Sequence, residues 1–201
     1  MTTPEPVIHL DEASHVYSVD GVVRPNVTTI LHLSGLADFS AIPEEIREYV
    51  LARGKATHSA CHYMLEGDLD EATLDPEIRP RVQALKKFLF HSGFKPRPGM
   101  IERRVYHTAQ EFCGTYDVVG DLPSLSGPCL CDWKNCDPRM SGTEYQTAAY
   151  LLCIPGVYYR AAITLRADAN FSVRVYPPST LLHDQAVFIQ ALQELRRQNR
   201  I

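Results

Sequence analysis

The run CLCDWKNC, Cys129 to Cys136, places Asp132 and Lys134 two residues apart inside an apolar, strand-like segment. On a β-strand such residues project from one face, about 6.5–7 Å apart along the chain. A carboxylate and an ammonium are therefore aimed at one small volume. Charged groups in the middle of an apolar strand are costly to bury unless something compensates them. Any fold for this chain has to answer that cost. Upstream, GTYDVVGDL carries Asp117 on a second short strand, and downstream EYQTAAY sets Gln146 and Tyr150 four apart, on one face of a helix. Two carboxylates brought together on neighbouring strands would be offset by a divalent cation.

These residues form a pattern: Gly114-x-x-Asp117 on one strand, Asp132-Trp133-Lys134 on the next and Gln146-x-x-x-Tyr150 on the following helix. It resembles the PD-(D/E)XK nucleases and, within them, the RecB-like branch that includes many phage-type exonucleases. That branch also has an upstream helical histidine preceded by Arg-Gly, which RGKATH supplies as Arg53, Gly54 and His58. The likeness runs over roughly 27–198, with its sharp motifs on a minority of positions.

It implies a restriction-endonuclease-like core and Mg²⁺ or Mn²⁺ as cofactor, one or two ions. Asp117, Asp132 and the Trp133 carbonyl are implied as metal ligands, with His58 and Glu102 as further ones. Lys134 is implied to orient or activate the attacking water, with Asp117 and Asp132 as its catalytic partners. Gln146 and Tyr150 are implied to contact DNA and support the site, and Arg53 to contact DNA. On residues alone, Glu102 reads equally as a charged strand end paired with Arg103 or Arg104, and Tyr150 as helix core.

A length of 201 residues fits one domain over 1–201, with a β-hairpin extension over 1–26. The net charge of −4 argues against a protein that coats nucleic acid through general basicity, while Arg79/Arg81, Lys86/Lys87 and Arg103/Arg104 offer local phosphate contacts or solvated faces. No apolar run is long enough for a membrane span and MTTPEP has no signal-peptide pattern, so the expected compartment is the cytoplasm of a bacterial or phage-infected cell. The six cysteines lack paired metal spacings. Some RecB-like relatives hold an iron–sulfur cluster with three late cysteines; none follows Cys153 here, so no such cluster is expected. Cys129 and Cys131 should face away from the site as small apolar residues.

In order, the chain reads as a hairpin over Val7 to Val23 turning at Asp20-Gly21, then a short helix closed by Gly35. A helix follows from Pro43 to about Glu66, with Ile46, Tyr49, Val50, Thr57, Ala60, Cys61 and Met64 as its apolar stripe. Another helix opens at Asp75-Pro76-Glu77 and closes at Ser92-Gly93. Strands are expected over 100–107, 113–121 and 129–134, a helix over 144–153, a hairpin over 157–166 and 171–176, and a closing amphipathic helix over 181–198. That order suits an α/β class with α+β mixing, a central mixed sheet flanked by helices.

The expected activity is metal-dependent hydrolysis of phosphodiester bonds from DNA ends, single- or double-stranded, in recombination, repair or phage DNA processing. The alternatives are a DNA-binding or assembly subunit with a vestigial site, and a structure-specific endonuclease. Expected associations are DNA, a further copy of the chain, or a recombination or repair partner protein, and no membrane.

Overall fold

The segment bearing Asp132 and Lys134 is the middle strand of a five-stranded sheet. The computed structural model of the chain describes residues 6–40, 42–137 and 139–201. Numbered in chain order, the strands of this sheet are β4 (Lys95–His107), β5 (Phe112–Asp121), β6 (Pro128–Lys134), β7 (Tyr159–Leu165) and β8 (Phe171–Tyr176). They lie side by side in sequence order. β6 and β7 are parallel and joined through helix α4 (Thr143–Leu152); the other pairs are antiparallel. The sheet is mixed, as expected for a βαβ crossover set among hairpins.

Helices cover both faces. On one face α2 (Glu44–Glu66) and α3 (Arg79–Ser92) meet Val118, Cys129, Cys131, Trp133, Ala161 and Ile163 through Cys61, Leu85 and Phe88. On the other, α1 (Val27–Ser34), α4 and α5 (Leu181–Arg197) pack on Phe112, Tyr116, Val119 and Leu130. Alternation along β6 thus sends Cys129, Cys131 and Trp133 to the α2–α3 side, and Leu130, Asp132 and Lys134 to the α4 side. The cysteines are turned away from the charged pair, as the sequence suggested. Among the described residues no helix is long and apolar enough to cross a membrane.

Three expectations need correcting. The N-terminal hairpin turning at Asp20-Gly21 is present as β2 (Val16–Val19) and β3 (Val22–Arg24), but a further strand, β1 (Ile8–Asp11), pairs with β2 and makes a three-stranded antiparallel sheet. Its first turn uses no glycine: Asp11 Oδ1 accepts from the backbone N–H groups of Ala13 and Ser14, and His15 takes a positive φ of 54°. Positions 1–5 of the expected extension lie outside the described residues. The apolar stripe of α2 does not run its full length, since Ile46 and Tyr49 are about half exposed and only Thr57, Ala60 and Cys61 are buried. The first half of α2 has no buried residue, and Tyr49 instead donates its hydroxyl to Glu77. Strand β4 begins five residues early, through Pro96 and Pro98, with its register shifted between Pro96 and Ile101. It is an edge strand, where proline costs no ladder hydrogen bond on the open side.

The N-terminal sheet is stitched to the body beside β5. Cys113 N–H donates to the Pro25 carbonyl at 3.0 Å, and the Tyr17 and Thr115 hydroxyls are 2.9 Å apart.

Candidate active site

The β5–β6 ladder pairs Asp121 through Val118 with Pro128 through Cys131 and goes no further. Beyond it the two strands separate, β5 staying with β4 and β6 with β7. Asp117 is the first residue past the last pair. Its side chain takes over where the backbone stops: Oδ2 accepts the Trp133 N–H at 2.7 Å. Its other oxygen, Oδ1, is 2.9 Å from His58 Nδ1 on α2. Asp117 thus stands in the fork of two strands with a helix above it, 7% exposed.

Asp132 and Lys134 enter the fork from β6. Lys134 Nζ is 2.5 Å from Asp132 Oδ2 but off the direction of a hydrogen bond, and that oxygen is buried with no hydrogen-bond partner among the described residues. The ammonium donates instead to Gln146 Oε1 at 2.9 Å, and Gln146 Nε2 donates to the Tyr150 hydroxyl at 3.4 Å. Tyr150 is 2% exposed. The buried ring lies beneath Gln146 and supports it. The ring needs Gly114: a Cβ built there would lie 2.8 Å from Tyr150 Cε1. The motif glycine of β5 and the motif tyrosine of α4 are therefore one packing contact.

The charges sort themselves by environment. For Asp132, burial is the strongest influence and holds its carboxyl above the ordinary range, although Lys134 pulls the other way. Burial also acts to raise Asp117, but His58, Lys134 and the Trp133 N–H overturn it and leave the carboxyl below its ordinary value. Burial would make the His58 ring less basic; the Asp117 carboxylate wins and lifts it to about 9. Lys134 is likewise held above its ordinary value, burial being outweighed by Asp132 and Asp117. That environment favours the ammonium form of Lys134. Two carboxylates on adjacent strands are driven apart in acidity, a pattern typical of catalytic sites.

Glu102 lies at the rim. The register pairs Ile101 with Val118 and Arg103 with Tyr116, so Glu102 falls opposite Asp117. Its φ of 48° is in the left-handed region, an uncommon conformation for a non-glycine residue inside a strand. Its side chain is exposed at one edge, yet chain atoms crowd the carboxyl, and that burial, with Asp117, Glu12 and Asp132 against His58, raises it to about 7.

Asp117, Asp132, Lys134, His58, Gln146 and Glu102 are thus brought together or to one rim. Arg53 is not: its guanidinium meets Glu77 at 3.2 Å and the Tyr49 ring at 5.5 Å. The Trp133 indole is buried against Phe88 on the far face, and its carbonyl lies in the stretch paired with β7. Gly54 faces open space, so no backbone uses the room it leaves. Asp121 is an exposed strand end bound by Arg97 at 2.7 Å. Arg81 is buried and donates to the Glu77 carbonyl, so the Arg79/Arg81 pair is no basic patch.

Sequence reasoning missed Glu12, on the β1–β2 turn, which lies between Lys55 and Arg104 and acts on Glu102. It also missed Asn135, whose side-chain oxygen and nitrogen are buried with no hydrogen bond among the described residues. Neither has a spacing signal, because both depend on what the chain folds against.

Among the described residues no three His, Cys, Asp or Glu side chains converge as they stand into a group that could hold a metal ion. The residues at the fork still fit a hard cation in kind: Asp132 Oδ2 is a buried, charged acceptor without a hydrogen bond, and carboxylate oxygens are what Mg²⁺ and Mn²⁺ take. No protein-family model matches the chain. No curated protein matches it either.

Proposed function

We propose that the chain is a metal-dependent deoxyribonuclease of the PD-(D/E)XK kind, of the RecB-like branch, acting from DNA ends. The observation that carries this reading is the fork itself: two buried carboxylates of opposite acidity, with an ammonium between Asp132 and Gln146, at the point where β5 and β6 part.

Asp117 and Asp132 would hold the cation, with Glu102 and, once the ion displaces its proton, His58 as further donors, and the Trp133 carbonyl as the resemblance implies. When bound, the ion neutralises phosphate charge and acidifies a water. The chain's own groups do the rest. Lys134, kept protonated, presents N–H donors to the attacking water or to a phosphate oxygen and offsets charge that grows on it. Gln146 fixes where that ammonium points, and Tyr150 fixes Gln146. His58 holds Asp117 ionised. Glu102, at the rim opposite Asp117, would hold the ion or its waters.

One observation favours the alternative of a binding or assembly subunit. Each carboxylate already has an internal cation, His58 on Asp117 and Lys134 on Asp132. Incubating matched linear and covalently closed circular DNA with the protein and Mg²⁺, Mn²⁺ or chelator separates the readings. The proposal expects nucleotide release from the linear form only, with a divalent ion present. Fragments cut from the circle point to an endonuclease, and binding without cleavage to the subunit.

A further inference from the structure

Strand register extends the site across the sheet. Asp132 pairs with Ala162 on β7, and Ala162 with Arg174 on β8. Paired residues project from the same face, so Asp132, Ala162 and Arg174 form one row on the α4 side. Two strand spacings put the Arg174 backbone about 10 Å from that of Asp132. The residue between them is alanine, so no bulky side chain stands in the row.

Arg174 is exposed, on the edge strand, and no ion pair joins it to a carboxylate among the described residues. By contrast Lys55 and Arg104 lie on Glu12, Arg139 on Asp137 and Arg53 on Glu77. The Arg174 guanidinium is nevertheless positioned, 5.4 Å over the ring of Tyr176. That ring is 4% exposed and has the buried Arg160 guanidinium 5.2 Å away as well. Acidic groups lie in its surroundings: Asp137, which is bound by Arg139, and Glu144 and Asp132, which act on Tyr176 beside it. A fixed, exposed guanidinium in a row with a hydrolytic carboxylate is suited to a planar anion with several oxygens.

We propose that Arg174 binds a backbone phosphate of the DNA strand next to the one being cut, and so positions that strand across β6, β7 and β8. The inference rests on the nuclease reading. Arg174 is a positioning residue, since its guanidinium reaches a neighbouring phosphate and not the reacting one.

The test is fluorescence anisotropy of a labelled oligonucleotide, in chelator, titrated at several salt concentrations with wild type, Arg174→Ala, Arg174→Lys and Arg166→Ala. Arg166 lies at the exposed turn of the same hairpin and controls for loss of one positive charge. Arg174→Ala should weaken binding about threefold to tenfold for every sequence tried, and lower the slope of log affinity against log salt by about one. Arg174→Lys should keep the slope, and Arg166→Ala should change affinity less than about twofold. In cleavage assays Arg174→Ala should raise KM more than it lowers kcat. If wild type binds DNA and Arg174→Ala binds it with the same affinity and slope, the assignment of Arg174 is wrong and the nuclease reading stands. If wild type neither binds nor cuts DNA, the nuclease reading fails and this inference with it.

Discussion

Two buried acid–base pairs lie on the same face of the sheet, and they differ in how fully they are answered. Arg160 on β7 is wholly buried; it donates to Asp184 on α5, to the Thr180 hydroxyl at 2.8 Å and to the Glu144 carbonyl, and its plane lies over Tyr176. That pair ties β7, α4 and α5 together. Lys134 and Asp132 on β6 are nearly as buried, yet Asp132 Oδ2 lacks a hydrogen bond and burial works against its charge. No oxygen of Asp184 is left buried without a partner, although Arg160 Nε, like Asp132 Oδ2, is buried with no hydrogen bond among the described residues; the first pair reads as structural because its carboxylate is answered. The second keeps acceptor capacity in reserve, which is what a ligand site needs. Burial of charge alone does not separate structure from function; the state of the remaining lone pairs does.

The contrast breaks most readily at Asp184. Removing one partner of a well-answered buried pair strands the other charge, so Asp184→Ala should cost about 3–5 kcal/mol in urea unfolding. Asp132→Asn should change stability by no more than about 1 kcal/mol, and in the stabilising direction once pH has risen past the folded-state pKa of Asp132. A carboxyl whose folded-state pKa is raised, as burial raises that of Asp132, contributes stability below its unfolded pKa and loses it as pH climbs through the folded one. Equal losses in the two variants would erase the distinction.

Next in size is the packing beneath the site. Gly114→Ala must move the Tyr150 ring, which should cost about 1–3 kcal/mol and slow cleavage through Gln146 and Lys134. Unchanged stability together with unchanged cleavage would detach the β5 glycine from the α4 tyrosine.

The pH dependence sharpens the comparison from another side. Glu102, raised from 4.5 to about 7, should make stability fall between those values as pH rises. His58, raised from 6.5 to about 9, gives stability that is full below 6.5 and lost as pH rises through 9. The depressed Asp117 gives stability above its unfolded pKa that is lost as pH falls through its folded value. Unfolding curves across pH should lose the lower decline in Glu102→Gln and the upper one in His58→Ala. Retention of both declines in both variants would refute the assignment. A small loss is expected of Tyr150→Phe in urea unfolding, since it removes one long hydrogen bond to Gln146 at a cost of about 0.5–1.5 kcal/mol.

The parts legible in sequence were those set by period and spacing. Alternation along 129–134 put Asp132 with Lys134 and turned the cysteines away, and the four-residue step from Gln146 to Tyr150 put both on one helix face. Asp117 was legible as a strand carboxylate, but not the parting of β5 from β6 that gives it the Trp133 N–H, because separation of strands is a property of pairing partners. The place of Arg53 before His58 was legible, but not its ion pair with Glu77, which folds in from the start of the next helix region. Arg174 lay in an expected hairpin but carried no signal of its own, since only the register of three strands sets it in line with Asp132.

The most direct measurement of the central claim is the rate of nucleotide release from labelled linear DNA with Mn²⁺, for wild type, Asp132→Asn and Lys134→Ala, each checked for wild-type-like unfolding. The account predicts release by wild type and a loss of about a hundredfold to ten-thousandfold in both variants. Near wild-type turnover by a folded Lys134→Ala protein would contradict it.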